Sequence, residues 1–206
     1  GALSTAKHFP GHGDTSVDSH IDLSVVKGDR ARLDAVELVP FRAAIAAGTS
    51  TMMTGHLAVP ALEPNTELPA TMSENILTEL LRKEMKFEGL LVTDALDMGG
   101  VTSRYPPAEV AVRAIAAGAD VLLVPPIPDA AIAGLKDAVA TGRILMARID
   151  ESVRRVLRAK AKLGLYKERL VDLDKLNVSF RRPEFVQQAQ EIADRGVTLL
   201  RDDQHA

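Results

Sequence analysis

Lys7–His20, KHFPGHGDTSVDSH, sets three histidines, a lysine and two aspartates among turn-forming glycines. The preceding residues from Leu3 to Phe9 read as a short buried strand, which Pro10-Gly11 and Gly13-Asp14 then break. The polar groups beyond the break therefore belong to a loop over a strand end, the place where α/β enzymes hold their chemistry. Asp18 stands two residues before His20, a spacing at which a carboxylate accepts the imidazole N–H, fixes its tautomer and raises its basicity. The same groups could equally hydrogen-bond the loop to itself.

Strand and helix patterns alternate outward from this loop. Asp34–Ala47 reads as a helix stopped by Gly48, with Pro40 in its first turn or at a kink. Ser50–Gly55 follows as a strand with His56 just past its end. A helix is expected over Ser73–Met85, where Thr71 and Glu74 have capping-box spacing and Ile76, Leu77, Leu80, Leu81 and Met85 fall on one face. Gly89–Thr93 reads as a strand, apolar at Leu90, Leu91 and Val92 as in a parallel strand covered on both faces, and Asp94 stands at its C-terminal end. Pro107–Ala117 reads as a helix ending at Gly118, Asp120–Val124 as a fourth strand, and Ala130–Ala140 as a helix stopping near Gly142.

Four such units are half of a (β/α)₈ barrel of about 250 residues. The fold class is therefore α/β: a partial (β/α)₈ TIM barrel holding about the last four βα units, with the first half expected upstream. Arg148–Lys162 reads as a long amphipathic helix whose Arg/Lys run is a solvated face. Residues 1–166 are assigned to the half-barrel and 167–183 to a linker. Residues 184–206 are assigned to the start of a second α/β domain, with a helix over Glu184–Arg195 and a strand over Val197–Leu200.

Composition narrows the function classes. The 206 residues are 46% hydrophobic, enough for a sizeable core, and the net charge of −3 comes from interspersed charges that build no field for nucleic acid or an anionic membrane. With no cysteine there are neither disulfides nor thiolate metal sites. No apolar run approaches the roughly 20 residues of a membrane span. The opening GALSTAKHF lacks a signal-peptide pattern and enters a strand without an initiator methionine, so it reads as internal, and the compartment stays open. Aromatic residues make up 3%, with no tryptophan, which fits a small soluble substrate better than a long polysaccharide laid on aromatic platforms.

KHFPGHGDTSVDSH closely resembles the signature of family 3 glycoside hydrolases, in the β-N-acetylglucosaminidase branch. GLLVTDALDMGGV (Gly89–Val101) resembles the segment carrying that family's nucleophile. MTGHLAVPAL (Met53–Leu62), LPATMSENILTELLRKEMKF (Leu68–Phe87) and RIDESVRRVLRAKAKLGLY (Arg148–Tyr166) extend the similarity over nearly the whole chain. The resemblance implies retaining hydrolysis of terminal β-linked N-acetylglucosamine through a covalent glycosyl-aspartate. Asp94 would be the nucleophile, His20 the general acid/base and Asp18 its orienter. It further implies that Lys7 and His8 donate hydrogen bonds to the sugar, and that no cofactor is needed. His12 and His56 either contact substrate or brace a loop. In the family, an aspartate and an arginine from the first half of the barrel grip the same sugar, and neither has a match here.

Three other readings stay open. Phosphate could replace water as the acceptor at the same site, since a neutral imidazole does not repel an anion as a carboxylate base would. His8, His20, His56 and Asp94 all follow successive strands, as the ligands of barrel metallohydrolases do. A half-barrel could also bind sugar without cleaving it, and with four strands it leaves two sheet edges that invite self-association.

Overall fold

The computed structural model describes residues 2–176, 180 and 182–201. The chain divides into two units, Gly1–Leu163 and Gly164–Ala206. The first is built on a four-stranded parallel sheet of β1 (Thr5–Phe9), β3 (Thr51–Thr54), β5 (Leu90–Ala95) and β6 (Val121–Leu123), in that spatial order. Thr5 is registered with Thr51, Thr51 with Leu90, and Val92 with Val121. This is α/β barrel architecture, and the parallel order requires a crossover between each pair of strands.

The first crossover differs from the single helix expected over Asp34–Ala47. It comprises α1 (Arg30–Ala35) and α2 (Val39–Ala46). Asp29 caps α1 by accepting from the Arg32 N–H at 2.9 Å, and Pro40 sits in the first turn of α2, where its missing N–H costs nothing. In the second crossover, Asn75–Glu84 is wound as a π-helix, with the Met85 N–H reaching the Leu80 carbonyl at 2.8 Å. Its buried Ile76, Leu77, Leu80 and Leu81 form the expected face. The expected capping box is not made: the Ser73 hydroxyl takes the Ile76 N–H at 3.3 Å, while Thr71 lies in a 3₁₀ turn (Ala70–Met72) and turns to the strand ends.

After β5 come the short α3 (Gly99–Thr102) and α4 (Pro107–Ala117), and after β6 come α5 (Pro128–Ala140) and α6 (Met146–Lys162). The main core joins Phe9, Met52 and Leu91 of the sheet to Phe41 of α2 and to Ile76, Leu77 and Leu81 of the π-helix. A second cluster packs Val112 and Ile115 of α4 against Ala138 of α5 and Ile144.

Two features lie at opposite ends of the strands. Beyond the C-terminal ends, a small parallel pair joins β2 (Ser24–Val25) to β4 (Leu57–Ala58), closing the loop that begins at Pro10. At the N-terminal end the Asp120 side chain is fully buried. It accepts from Arg82 Nη2 at 2.7 Å, Arg155 Nη1 at 3.0 Å, the Ser152 hydroxyl at 2.7 Å and the Leu91 N–H at 3.0 Å. Arg148 approaches the same carboxylate at 3.5 Å. Burial pulls the Arg82 pKa down to about 10, against the attraction of Asp120.

In the second unit, a 3₁₀ turn at Leu173–Lys175 precedes α7 (Pro183–Gly196), which buries none of its residues. The strand expected over Val197–Leu200 is absent: these residues form no ladder, and a strand exists only against a neighbour. The remainder of the expected second-domain start, residues 202–206, lies outside the described residues.

Candidate active site

Adjacent parallel strands bring β1 and β5 to the same end of the sheet on either side of β3. His8, next to last in β1, and Asp94, next to last in β5, meet there with Nε2 3.5 Å from Oδ2. The close passage across β3 depends on Gly55, where a Cβ would sit 3.2 Å from that of His8. Asp94 is 16% exposed; its Oδ1 accepts from the Ala95 N–H at 2.9 Å, and Oδ2 is the oxygen beside His8. Burial lowers the His8 pKa below its ordinary value, opposed by Asp94 and assisted by Lys7, His12 and His20. A neutral imidazole therefore stands beside Asp94 at pH 7. The Lys7–His8 and Phe9–Pro10 peptides are cis.

The expected Asp18–His20 pair is formed. Asp18 Oδ1 accepts from both the backbone N–H of His20 at 2.9 Å and the ring Nδ1–H at 2.7 Å. These two bonds hold the Asp18 pKa below the usual range, the backbone bond first. They also direct the Nδ1–H at Asp18, and among the described residues no hydrogen bond engages Nε2. The pair is open to solvent, His20 at 75% and Asp18 at 59%.

Its loop is not free. The carbonyl of His20 accepts from the Gly99 N–H at 3.0 Å and that of Ser19 from the Gly100 N–H at 3.2 Å. A Cβ on Gly99 would lie 2.2 Å from the Ile21 carbonyl oxygen, and one on Gly100 would lie 2.9 Å from the His56 Cβ. The two glycines of the DMGG segment are thus the seat on which the Asp18–His20 loop rests.

The remaining residues separate. His12 bonds Ser19 through Nε2 and Thr15 through Nδ1, each at 3.1 Å, so both nitrogens serve the loop. His56 is fully buried, its Nε2 donating to the Ala95 carbonyl at 2.9 Å and its Nδ1 bonded to the Thr71 hydroxyl at 2.8 Å. Both histidines thus brace their surroundings through both ring nitrogens, and His12 also lines a cavity beside Lys7 and His8. Lys7 is exposed rather than buried, because β1 lies at the edge of the sheet. With His8, His12 and Arg32 it lines a cavity of about 310 Å³. The metallohydrolase arrangement is not assembled: among the described residues no three His, Asp or Glu side chains converge as a metal site would require.

Thr71 was not singled out by the sequence reading as a site residue. Its hydroxyl links His56 to Thr54 at 2.8 Å and approaches the Gly55 carbonyl at 3.1 Å, joining the ends of β3 and β5. Asp22 and Arg104 were also missed; Arg104 Nη1 donates to Asp22 Oδ1 just beyond the loop's seat.

The chain is similar to known proteins in sequence and in structure. The chain is 36% identical over 226 aligned residues to beta-hexosaminidase A of Pseudoalteromonas piscicida, an alignment covering 98% of this chain and 38% of that protein. It superimposes with a TM-score of 0.88 on a glycoside hydrolase family 3 β-N-acetylglucosaminidase from Paenibacillus sp. str. FPU-7, with 42% identity, covering 98% of this chain and 38% of the other. A β-glucoside phosphorylase superimposes with a TM-score of 0.89 at 31% identity, over the same 98% and 38%. The chain thus spans less than two fifths of the length of each of these relatives. The family model described as "Glycosyl hydrolase family 3 N terminal domain" matches residues 1–159, and with the relatives above this establishes that the chain belongs to glycoside hydrolase family 3.

Proposed function

We propose that the chain carries the nucleophile and acid/base of a retaining β-N-acetylglucosaminidase. Asp94 attacks the anomeric carbon of a terminal β-linked N-acetylglucosamine. His20 protonates the departing oxygen and then activates water, and Asp18 holds the His20 ring. His8 and Lys7 donate to sugar hydroxyls beside Asp94. The carrying observation is that His8 meets the Asp94 carboxylate at 3.5 Å at the strand ends, with the hydrogen-bonded Asp18–His20 pair on the loop that follows β1. The names of the hexosaminidase and N-acetylglucosaminidase relatives support the choice of sugar.

Retaining cleavage places its two catalytic groups on opposite sides of one bond, at about 5–5.5 Å when both are carboxyls. An imidazole in place of one carboxyl leaves the acceptor position free of a second negative charge. The phosphorylase neighbour makes inorganic phosphate the one competing acceptor with an observation behind it. Sugar 1-phosphate formed in phosphate buffer, in place of free sugar, would select phosphorolysis.

The residues that the resemblance places in the first half of the barrel have no match here, so these 206 residues turn over far more slowly than a chain of the relatives' span. They also associate through their open sheet edges. The test of function is a slow 5-fluorinated N-acetylglucosaminide analogue followed by mass spectrometry. The expected adduct is on Asp94, and Asp94→Asn abolishes it while sugar binding persists. An adduct on another residue, or sugar bound with no adduct from any substrate, removes the nucleophile assignment.

A further inference from the structure

We propose that Arg104 and Asp22 form a positioning latch that holds the Asp18–His20 loop on its glycine seat, and so sets where His20 stands relative to Asp94. The proposal rests on the acid/base role of His20 given above.

The loop leaves β1 at Pro10, is met at Asp14 by Arg32 of α1, and joins β2, where Ser24 and Val25 pair with Leu57 and Ala58. Between these points, residues 18–22 meet the segment after β5 through the Gly99 and Gly100 N–H groups, at 3.0 and 3.2 Å. Both bonds involve backbone groups of a four-residue helix, and neither involves a side chain that could hold the loop against a pull from solvent. His20 and Asp18 are largely exposed and bury nothing that would keep them in place.

Arg104 supplies the missing hold. It follows α3 directly and is three-quarters buried, and its guanidinium is set by Ser103 Oγ at 3.0 Å and Glu67 Oε2 at 3.3 Å. From that fixed position Nη1 donates to Asp22 Oδ1, two residues beyond His20. Asp22 is itself oriented, since the same oxygen accepts the Leu23 N–H at 2.7 Å. The Arg104 bond is the first cause of the lowered Asp22 pKa, so the pair stays charged on both sides across the neutral range. Residues 82 positions apart in sequence thus link the acid/base loop to the segment that continues from the nucleophile strand.

An ion pair whose carboxylate is more than half exposed adds little to global stability, so Arg104→Ala leaves the fold intact. It acts on a local opening instead, where a small bias changes how often the loop is seated. A misplacement of about 1 Å at a catalytic group costs on the order of 100-fold in rate, and this loss falls on the step that needs the proton.

The experiment has two readouts on the full chain. In amide hydrogen exchange, Arg104→Ala and Asp22→Asn should speed exchange of the Ile21, Asp22, Gly99 and Gly100 amides by about 10-fold, with β5 unchanged and Arg104→Lys restoring most of the protection. Unchanged exchange at these amides overturns the latch. In kinetics, Arg104→Ala should lower kcat for poor leaving groups about 10-fold more than for dinitrophenyl glycosides, with KM within about 3-fold. Equal loss across leaving groups overturns the positioning role, because a merely structural defect reduces all substrates alike. His20→Ala is run beside it. Selective loss in His20→Ala with none in Arg104→Ala overturns the latch alone, whereas equal loss in His20→Ala itself overturns the acid/base reading and the catalytic part of the proposal with it.

Discussion

At the scale of single residues, chemistry and support are carried by different histidines. His20 keeps one nitrogen free, while His12 and His56 have both engaged. His20→Ala should therefore slow cleavage of basic leaving groups by about 100-fold or more and leave activated aryl glycosides nearly unaffected. Asp18→Asn should move rates in the same direction by less, because the ring remains but loses its fixed tautomer; a leaving-group series on both variants measures this. The Asp18–His20 pair was legible in sequence because its two members lie two residues apart on a loop bounded by glycines. The partners of His56 were not, since Thr71 comes from a 3₁₀ turn and Ala95 from the end of β5, and only the fold brings them together. Asp22 and Arg104 were hidden for another reason: charged residues on loops and helix ends look alike until the distance between them is known.

At the scale of elements, apolar strands and amphipathic helices could be read because burial imposes a period on the sequence. The division of the first crossover could be read in part, through Pro40. The π-helical winding over Asn75–Glu84 could not, because its apolar face suits either helix and the choice is made by packing on the sheet. The strand expected over Val197–Leu200 shows the converse: an apolar run specifies a strand only when a partner strand is present. A testable element-scale contact is the clamp of α4 onto Arg143, three residues beyond the end of α5. Glu109 accepts from Arg143 at 2.5 and 2.7 Å and from Arg113 on its own helix at 2.5 Å. With Arg143 first, these bonds hold the Glu109 pKa down from 4.5 to about 2. A depressed carboxyl pKa contributes stability that is fully present above the unfolded value and is lost as pH falls through the folded one. Melting temperature measured from pH 6 down to about pH 2 should thus fall more steeply below about 4.5 in the wild type than in Glu109→Gln, and parallel curves would remove the clamp.

At the scale of the whole molecule, the sheet of the first unit has two flanks. Among the described residues β1 pairs only with β3, and β6 only with β5. The first unit also exposes apolar side chains, including Val36, Val39, Ile132, Leu145 and Met146. Covering even about 400 Å² of apolar surface is worth roughly 10 kcal/mol, on the scale of a domain's whole stability. These 206 residues should therefore self-associate at micromolar concentration in light scattering, and a monodisperse monomer with a sharp melt would show that the flanks cost little. The buried Asp120 knot has a different consequence, for how the protein can change over generations. Its arginines come from the π-helix and α6 and converge at the end of the strands away from Asp94. Substitutions accumulating around the cleft can alter which sugar or acceptor is taken without touching the knot, and changes at the knot can reset heat tolerance without reaching the cleft. Selection for a new substrate and selection for a hotter habitat would then act on separate sets of residues.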